Sequence, residues 1–408
     1  MKRYLELFRI REARLMMLSS FPARLAYGMV ALAIFFKTQQ ETHSIALAGL
    51  AVGINGIAGA ATAGLRGSLS DKYGMKWPLR FLVPSYTVAL LGLNFMHTSK
   101  SILIFTFILG ISAPPINLSI RPLWKDAVPK DLLRTAYAAD TSIASSTNIL
   151  GPVFATALAL SSHPASVLIL ASMCMALGGG SLMSLRITRQ WVPEARPEQR
   201  QSIFRYKAIR ILAIEGTFIG IAFGAFEVAV PSTTTLAGVA HRTSWILGAM
   251  GLGNIIGGLL GGLVGKRTSP LRGLRQTYIG WIVVSLPLAF ANPDWSLIIC
   301  ALFLGGFTGA QQVFYWEIVE AVRPKGWASG ALGWLWTIEG SFQAGGAALG
   351  GAIAERFSPR YTFAMTTLSI LVGFIIILSS RTVLAASDKI PSDENDLAAM
   401  EDNNNTLN

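Results

Sequence analysis

The stretch Gly67-Ser68-Leu69-Ser70-Asp71-Lys72-Tyr73-Gly74-Met75-Lys76 lies between two apolar runs that extend from Ser44 to Leu69 and from Trp77 to Met96. Its glycines permit a close helix approach and a sharp turn, because glycine has no Cβ. Asp71 suits the positive N-terminal end of a neighbouring helix. Lys72 and Lys76 favour the cytoplasmic face of a membrane. The stretch is therefore predicted to be a short cytoplasmic loop between two spans.

The composition indicates a membrane protein. Of the 408 residues, 52% are hydrophobic and 14% are charged, and the mean hydropathy is +0.50. A soluble protein has about 25% charged residues. The net charge of +12 does not indicate nucleic-acid binding, because the charges are confined to short loops between apolar runs, where they set topology. We expect a lipid bilayer around the chain and no nucleic-acid partner.

Twelve apolar runs are long enough to cross a bilayer, which takes roughly 20 residues. They cover about 15–37, 44–66, 77–97, 100–120, 136–160, 164–186, 208–235, 243–265, 274–291, 295–320, 327–353 and 358–381. The segment before them, residues 1–14, is basic and amphipathic and is predicted to lie along the membrane surface.

The distribution of Lys and Arg predicts that both termini are cytoplasmic. With that topology most Lys and Arg fall on the cytoplasmic side, as the positive-inside rule requires. The exceptions are Arg24 within the first span and, on the outer side, Lys37, Lys100, Arg242, Arg356 and Arg360.

The longest internal polar stretch divides the chain into halves. We predict an N-terminal six-helix bundle over 1–187, a cytoplasmic linker over 188–207, a C-terminal six-helix bundle over 208–384 and a disordered acidic tail over 385–408. The second and eighth spans each contain two glycines and an asparagine at the same mutual distances along the chain, which indicates an internal repeat. These residues are Gly49, Asn55 and Gly59 in the second span and Gly248, Asn254 and Gly258 in the eighth.

The opening stretch resembles the loop signature of the major facilitator superfamily, G-x-x-x-D-(R/K)-x-G-(R/K)-(R/K), which lies between the second and third spans. Gly67, Asp71, Lys72, Gly74 and Lys76 match it, and Met75 stands where the family usually has a base. The resemblance implies an all-α membrane fold of two pseudo-symmetric six-helix bundles. It also implies that the first, fourth, seventh and tenth spans line a central cavity.

Ionisable side chains within spans cost about 2.5–3.5 kcal/mol each, so each one needs a reason. Arg24 lies about 15 Å into the first span at 1.5 Å per residue. It is predicted to face a polar cavity or a carboxylate, or to pin two helices together. Asp140, near the start of the fifth span, is predicted to be interfacial. Glu339 is predicted either to carry protons or to bond a neighbouring helix.

Glu215 and Glu227 lie on the seventh span and differ by about 120° around its axis. Both cannot centre on one face. We predict that the deeper Glu227 faces the cavity, and that Glu215 contacts the neighbouring bundle or a cytoplasmic Arg. The resemblance implies a cavity that includes six residues from the four lining spans: Arg24, Tyr27, Asn117, Glu227, Gln311 and Tyr315. The predicted substrate and proton pathway consists of these six residues together with Glu339 and Glu215.

The signature residues and Arg121 are predicted to form a cytoplasmic gate. Arg121 ends the fourth span on that side, where it is placed to pair with Asp71. Asp71 is also placed to cap the eleventh span. Pro114 and Pro115 are predicted to kink the fourth span.

The sequence contains no Walker loop, no HExxH and no Cys/His cluster with metal spacing. We therefore expect no enzymatic activity, no cofactor and no metal. The expected function is proton-coupled secondary transport of a small organic compound across a bacterial cytoplasmic membrane, by a monomer. Gly151-Pro152 is similar to the Gly-Pro signature of antiporter branches, which favours export. The alternatives are a proton-coupled importer of the same fold and a non-transporting membrane sensor or scaffold.

Overall fold

The structure is a computed structural model that describes residues 2–159, 166–194, 202–239, 241–264 and 268–386, which are mainly helical and include no strand. The helices are α1 Lys2–Arg9, α2 Arg11–Thr42, α3 Ile45–Tyr73, α4 Lys76–Leu93, α5 Ser99–Ser112, α6 Ile116–Ala127, α7 Leu133–Ala159, α8 Ser166–Ser184, α9 Arg186–Gln190, α10 Lys207–Leu236, α11 Arg242–Leu263, α12 Pro270–Ser285, α13 Trp295–Val322, α14 Gly330–Arg356, α15 Pro359–Ser379 and α16 Arg381–Ala386. Short 3₁₀ segments cover Ile203–Arg205 and Leu286–Ala289. The middle of the predicted linker and nearly all of the predicted tail lie outside the described residues.

The long helices follow the predicted spans in order, with α5 and α6 together at the position of the fourth. Seven described helical segments are long and apolar enough to cross a membrane: Arg11–Thr42, Ser99–Ala127, Ser166–Ser184, Lys207–Leu236, Arg242–Leu263, Trp295–Val322 and Pro359–Ser379. Large apolar side chains such as Leu18, Phe81 and Phe303 are exposed on the outside of the helices. An apolar outer surface is what a bilayer requires of the helices that cross it.

The helices pack in two sets. In the first set α2 packs against α3, α7 and α8, while α3 packs against α5 and α4 against α8. In the second set α10 packs against α14 and α15, and α13 against α11 and α12. The two sets meet mainly where α3 contacts α14 and where α7 contacts α11. A space between the sets is thus bounded by two seams.

The repeat predicted from the second and eighth spans corresponds to equivalent helix contacts. A Cβ added at Gly110 of α5 would meet the Asn55 carbonyl and the Gly59 nitrogen of α3. A Cβ added at Gly309 of α13 would meet the Asn254 carbonyl and the Gly258 nitrogen of α11. Small residues allow such close backbone contact in membrane proteins. The same local packing therefore occurs once in each set.

The predicted kink at Pro114 and Pro115 is a break between α5 and α6. Proline lacks an N–H and cannot continue the hydrogen-bond ladder. Two carbonyls at the break are used by side chains instead: Tyr27 donates to the Pro114 carbonyl and Arg66 donates to the Ala113 carbonyl. The break therefore joins α2 and α3 to the start of α6.

Helix α1 contacts the second set as well as the first. Leu7 is fully buried, and the Tyr4 hydroxyl donates to the Leu259 carbonyl of α11 at 2.7 Å. The basic amphipathic segment therefore packs in part against other helices. Its predicted position along the membrane surface stays a prediction.

Candidate functional site: a polar cavity between the two helix sets

A cavity of about 920 Å³ lies between the two sets of helices. Its polar and ionisable lining consists of Arg24, Tyr27, Arg66, Asn117, Arg121, Ser145, Thr147, Asn148, Glu215, Glu227, Asn254, Gln311, Gln312, Tyr315, Glu339 and Gln343. The eight residues predicted for a substrate and proton pathway are all in this lining. Their role in transport stays a prediction.

Arg24 pairs with Asp140 inside the first set. Arg24 Nη2 lies 2.8 Å from Asp140 Oδ1, and the two side chains are 3% and 1% exposed. Arg24 Nε also donates to Asn117 Oδ1 at 2.7 Å. The prediction that Arg24 faces a carboxylate is confirmed. The prediction that Asp140 is interfacial is wrong, because α7 turns this carboxylate inward against Arg24.

Arg121 lies at the boundary between the two sets. Its Nη2 is 3.8 Å from Asp140 Oδ2, and its guanidinium carbon lies 3.7 Å from the ring centre of Trp316 on α13. Its Nε and Nη1 are buried and have no hydrogen-bond acceptor within the described ranges. The predicted pair between Arg121 and Asp71 is not formed, because α6 directs Arg121 into the cavity.

Arg66 is a cavity residue that sequence reasoning did not select. It lies at the end of the second predicted span, where a basic residue is ordinarily explained by the positive-inside rule and not by a role in a cavity. It is 8% exposed, and it donates to the carbonyls of Thr62, Gly59 and Ala113. Its guanidinium has no carboxylate partner within 4 Å among the residues that the structure describes. The break after Ala113 was the available signal, because it leaves carbonyls for a nearby donor.

Three carboxylates line the side of the cavity formed by the second set. Glu215 accepts a hydrogen bond from Tyr278 of α12 and is 1% exposed. Glu339 of α14 lies beside α10, with its Cβ 4.0 Å from the position of a Cβ added at Gly216. Glu227 accepts from Gln343 Nε2 at 3.0 Å. None of the three forms an ion pair with a described Lys, Arg or His.

The assignment of Glu227 alone to the cavity is incomplete. Glu215 and Glu227 both line it, although they differ by about 120° around α10. The cavity is wide enough to contact a broad sector of this helix. The prediction that Glu215 contacts the neighbouring bundle or a cytoplasmic Arg is wrong for the described residues: its hydrogen-bond partner is Tyr278 of α12, which belongs to the same helix set.

Asp71 caps α14 across the seam between the sets. Its Oδ1 accepts from the Ser329 backbone N–H at 2.7 Å, and its Oδ2 accepts from the Gly330 N–H at 2.6 Å. A carboxylate is favourable at this position because the first N–H groups of a helix lack partners and carry partial positive charge. The predicted cap of the eleventh span is confirmed.

The signature glycines also have structural roles at this end of the molecule, which we call the Asp71 end. A Cβ at Gly67 would lie 2.5 Å from the Ser329 carbonyl oxygen, which is too close for any side chain. Gly74 ends α3 with φ of 79°, a conformation that favours glycine. Lys72 and Lys76 lie over the rings of Tyr73 and Trp77, at 4.7 and 5.7 Å from their centres.

Ion pairs add to the contacts at the Asp71 end. Arg134 of α7 donates to Glu317 of α13, with 2.8 Å between Nε and Oε1. Lys125 of α6 lies 3.1 Å from Glu320 of α13. Both pairs join the first set to the second, so this end of the cavity is closed.

Glu194, in the described part of the predicted linker, also reaches α13. It accepts from Arg323 Nη1 and Nη2 at 2.8 and 2.7 Å, and from the Gly326 N–H at 3.0 Å. These bonds, chiefly those from Arg323, lower the pKa of Glu194 from 4.5 to about 2. Burial lowers the pKa of Arg323, but its hydrogen bonds to Glu194 and Glu320 outweigh this effect and raise the pKa above its ordinary value.

The two sets separate toward the opposite end. Along α3, Gly67 and Gly64 are in close contact with α14, whereas a Cβ at Gly56 or Gly53 would meet nothing within 4 Å. A Cβ at Gly345 of α14 would also meet nothing within 4 Å. The cavity is thus closed at the Asp71 end, and α3 and α14 diverge away from it.

The described residues contain no group of three His, Cys, Asp or Glu arranged to hold a metal ion.

Comparison with known proteins places this architecture among transporters. The family model described as Major Facilitator Superfamily matches residues 16–340. No curated protein sequence matches the chain significantly.

Three similar solved structures share the fold. A bacterial homologue of the iron transporter ferroportin in an outward-facing state has a TM-score of 0.73 and 11% identity, over 91% of this chain and 100% of that one. The same kind of protein with soaked iron has a TM-score of 0.75 and 12% identity, over 90% and 99%. The human organic anion transporter MFSD10 (TETRAN) has a TM-score of 0.69 and 14% identity, over 89% and 98%.

Proposed function

Because the chain belongs to the Major Facilitator Superfamily and is a multi-pass membrane transporter, we propose that it moves a small organic compound across the cytoplasmic membrane by proton-coupled alternating access. The chain crosses the membrane twelve times with both termini in the cytoplasm, acts as a monomer, and exports its substrate. The observation that carries this proposal is the group of three cavity carboxylates that lack a cationic partner.

The contacts at the Asp71 end support alternating access. Asp71, Glu317 and Glu320 form bonds between the two helix sets there, while α3 and α14 diverge at the other end. Lys72 and Lys76 favour the cytoplasmic face. With the Asp71 end in the cytoplasm, as the two lysines favour, this conformation corresponds to an outward-open state. Breaking these contacts while the outer ends close would present the same cavity to the cytoplasm.

The carboxylates support proton coupling. A carboxylate in a low-dielectric site without a counter-charge favours the protonated form. Glu215 and Glu339 lie on adjacent helices of one wall, so the ionisation of one opposes the ionisation of the other. A change in water access between the two conformations would then load and release protons. Arg24, already paired with Asp140 of α7 and bonded to Asn117 of α6, joins helices α2, α6 and α7.

The preference for export rests on the similarity of Gly151-Pro152 to the antiporter signature. An antiporter exchanges external protons for internal substrate, so the same carboxylates would release protons to the cytoplasm as substrate leaves.

The test uses everted membrane vesicles in which respiration acidifies the interior and quenches a pH-sensitive acridine dye. A panel of organic cations, anions and zwitterions is added in turn. For the wild type, we expect at least one compound to restore fluorescence. Glu215→Gln and Glu339→Gln should lose this response, while Glu355→Gln, an exposed carboxylate on α14, should retain it.

Three outcomes would contradict parts of the proposal. Full responses in Glu215→Gln, Glu227→Gln and Glu339→Gln would reject the proton pathway. If right-side-out vesicles accumulate the active compound when protons flow inward, the direction of transport is import and not export. Absence of any response from the wild type, with the protein shown to be folded in the membrane, would favour a sensor or scaffold.

A further inference from the structure

We propose that the transported compound is a zwitterion, whose anionic group lies against Arg66 and Arg121 on one wall of the cavity and whose cationic group lies against Glu215 and Glu339 on the other. This inference rests on the proposed transport function and adds to it the chemical class of the substrate.

The wall formed by the first helix set carries excess positive charge. It contains Arg24, Arg66 and Arg121, and the carboxylate of Asp140 faces the first and the last of these. Asp140 lies 2.8 Å from Arg24 but 3.8 Å from Arg121. The negative charge of Asp140 therefore neutralises Arg24 more fully than it neutralises Arg121. The guanidinium groups of Arg66 and Arg121 therefore remain without a full counter-charge.

Arg121 has unused hydrogen-bonding capacity. Its Nε and Nη1 have no acceptor in the described parts of the chain, and buried polar groups in proteins are nearly always bonded. Trp316 covers one face of its guanidinium and belongs to the other helix set. A shift of α13 relative to α6 would expose that face. An anionic group can supply a missing acceptor, because charge-assisted hydrogen bonds from guanidinium to carboxylate or phosphate are strong.

When its carboxylates have released their protons, the wall formed by the second set carries excess negative charge. Glu215, Glu227 and Glu339 line it, and no described cation pairs with them. Glu215 has one donor, Tyr278, and Glu339 has no hydrogen bond from any described residue. An ammonium or guanidinium group on a ligand would supply both the charge and the donors that this wall lacks.

A ligand with one charge satisfies one wall only. A ligand with only a positive charge would be attracted by the carboxylates but repelled by Arg66 and Arg121. A ligand with only a negative charge would be attracted by the arginines but repelled by the carboxylates. A zwitterion satisfies both walls and also joins the two helix sets through its own charges. The aromatic side chains of Tyr315, Trp316 and Trp336, which also line the cavity, suit an apolar or aromatic body between the charged ends.

The test measures binding with two matched sets of compounds that differ only in charge. The first set is phenylalanine, phenethylamine and 3-phenylpropionate. The second is phenylalanyl-phenylalanine, its C-terminal amide and its N-acetyl derivative, in which the two charges are farther apart. The purified full chain is heated with each compound at pH 7, and the shift in melting temperature is converted to an apparent Kd.

We expect a zwitterion in at least one set to bind at least tenfold more tightly than both of its singly charged analogues. Arg121→Gln and Arg66→Gln should reduce the preference for the zwitterion over the amine or amide, and Arg66→Lys should restore part of it. Glu339→Gln should reduce the preference over the acid. Arg80→Gln, an exposed arginine on α4, should leave all preferences unchanged.

Equal or tighter binding of an amine, an amide or an acid relative to its zwitterion would overturn the proposal. So would a lack of any melting shift with all the zwitterions. Binding that shows the expected preference without any proton response in vesicles would leave the zwitterion site standing and reject proton-coupled transport. The two proposals are therefore tested separately.

Discussion

Arg24 and Asp140 form an ion pair in which both side chains are almost completely buried, with 2.8 Å between Nη2 and Oδ1. The pair joins α2 to α7. Arg121, the second arginine near Asp140, comes from α6. One carboxylate thus holds three helices of the first set at the level of the cavity.

Asp140→Asn should strongly destabilise the protein. The change leaves two buried guanidinium groups without a carboxylate, and breaking a buried pair in this way costs about 3–5 kcal/mol. The measurement is the free energy of unfolding in mixed detergent micelles, followed by tryptophan fluorescence. Asp131→Asn, which changes an exposed carboxylate in the preceding loop, is the matched control. Equal stability of the two variants would show that Asp140 is not the counter-ion of Arg24.

Gly67→Ala should open the Asp71 end of the molecule. The new methyl group would overlap the Ser329 carbonyl, and overpacking of this kind costs about 1–3 kcal/mol. The measurement is the reaction rate of a cysteine introduced at Trp316 with a membrane-impermeant maleimide added from the cytoplasmic side. Gly56→Ala, on the same helix but with free space around the added Cβ, should leave the rate unchanged. The same rate in both variants would refute the steric role of Gly67.

Asp71→Ala should weaken the same closed end through the loss of a helix cap. Loss of a capping side chain costs about 0.5–2 kcal/mol, and Asp71 bonds two N–H groups of α14. Asp71→Asn keeps one acceptor but no charge, so it should give an intermediate maleimide reaction rate. A rate for Asp71→Asn equal to that of Asp71→Ala would mean that the charge alone matters.

The contribution of Glu194 to stability should depend on pH. The pKa of Glu194 is about 2 in the folded protein, against an ordinary 4.5. A lowered pKa stabilises the folded state at pH values above 4.5, and this stabilisation is lost as the pH falls from 4.5 toward 2.

The difference in melting temperature between wild type and Glu194→Gln measures this contribution. It should be largest near pH 7 and should shrink between pH 4.5 and 2. Glu355→Gln, whose carboxylate is exposed, should differ from wild type by the same small amount across this range. A difference for Glu194→Gln that does not vary with pH would contradict the pairing with Arg323.

The sequence predicts those features that depend on one helix at a time. The break at Pro114 and Pro115 follows from the missing N–H of proline, and the turn at Gly74 follows from its permitted backbone angles. The cap formed by Asp71 could also be predicted, because the signature fixes both its loop and its neighbouring span. Arg24 could be expected to need a partner because of its depth alone.

The features that were missed depend on how helices are rotated against one another. Asp140 is close enough to the end of its span to be read as interfacial, and only the packing of α7 against α2 turns it inward. Arg121 has the right position along the chain to reach Asp71, but α6 directs it toward Trp316. Arg66 and Glu215 likewise depend on which sector of α3 and of α10 faces the cavity. Spacing along one chain does not contain this information.

The contact of Gly67 with the Ser329 main chain has a consequence for how the molecule moves. Along this part of the α3–α14 seam, glycine faces backbone atoms, and Gly333 of α14 meets the Ala63 carbonyl in the same manner. No side chains interlock at these two contacts, and between them the Trp334 ring of α14 lies against Gly64. Trp334 is therefore the bulky side chain that has to move when α3 slides or tilts against α14, so a smaller residue there should alter the speed of the cycle more than a change at either backbone contact.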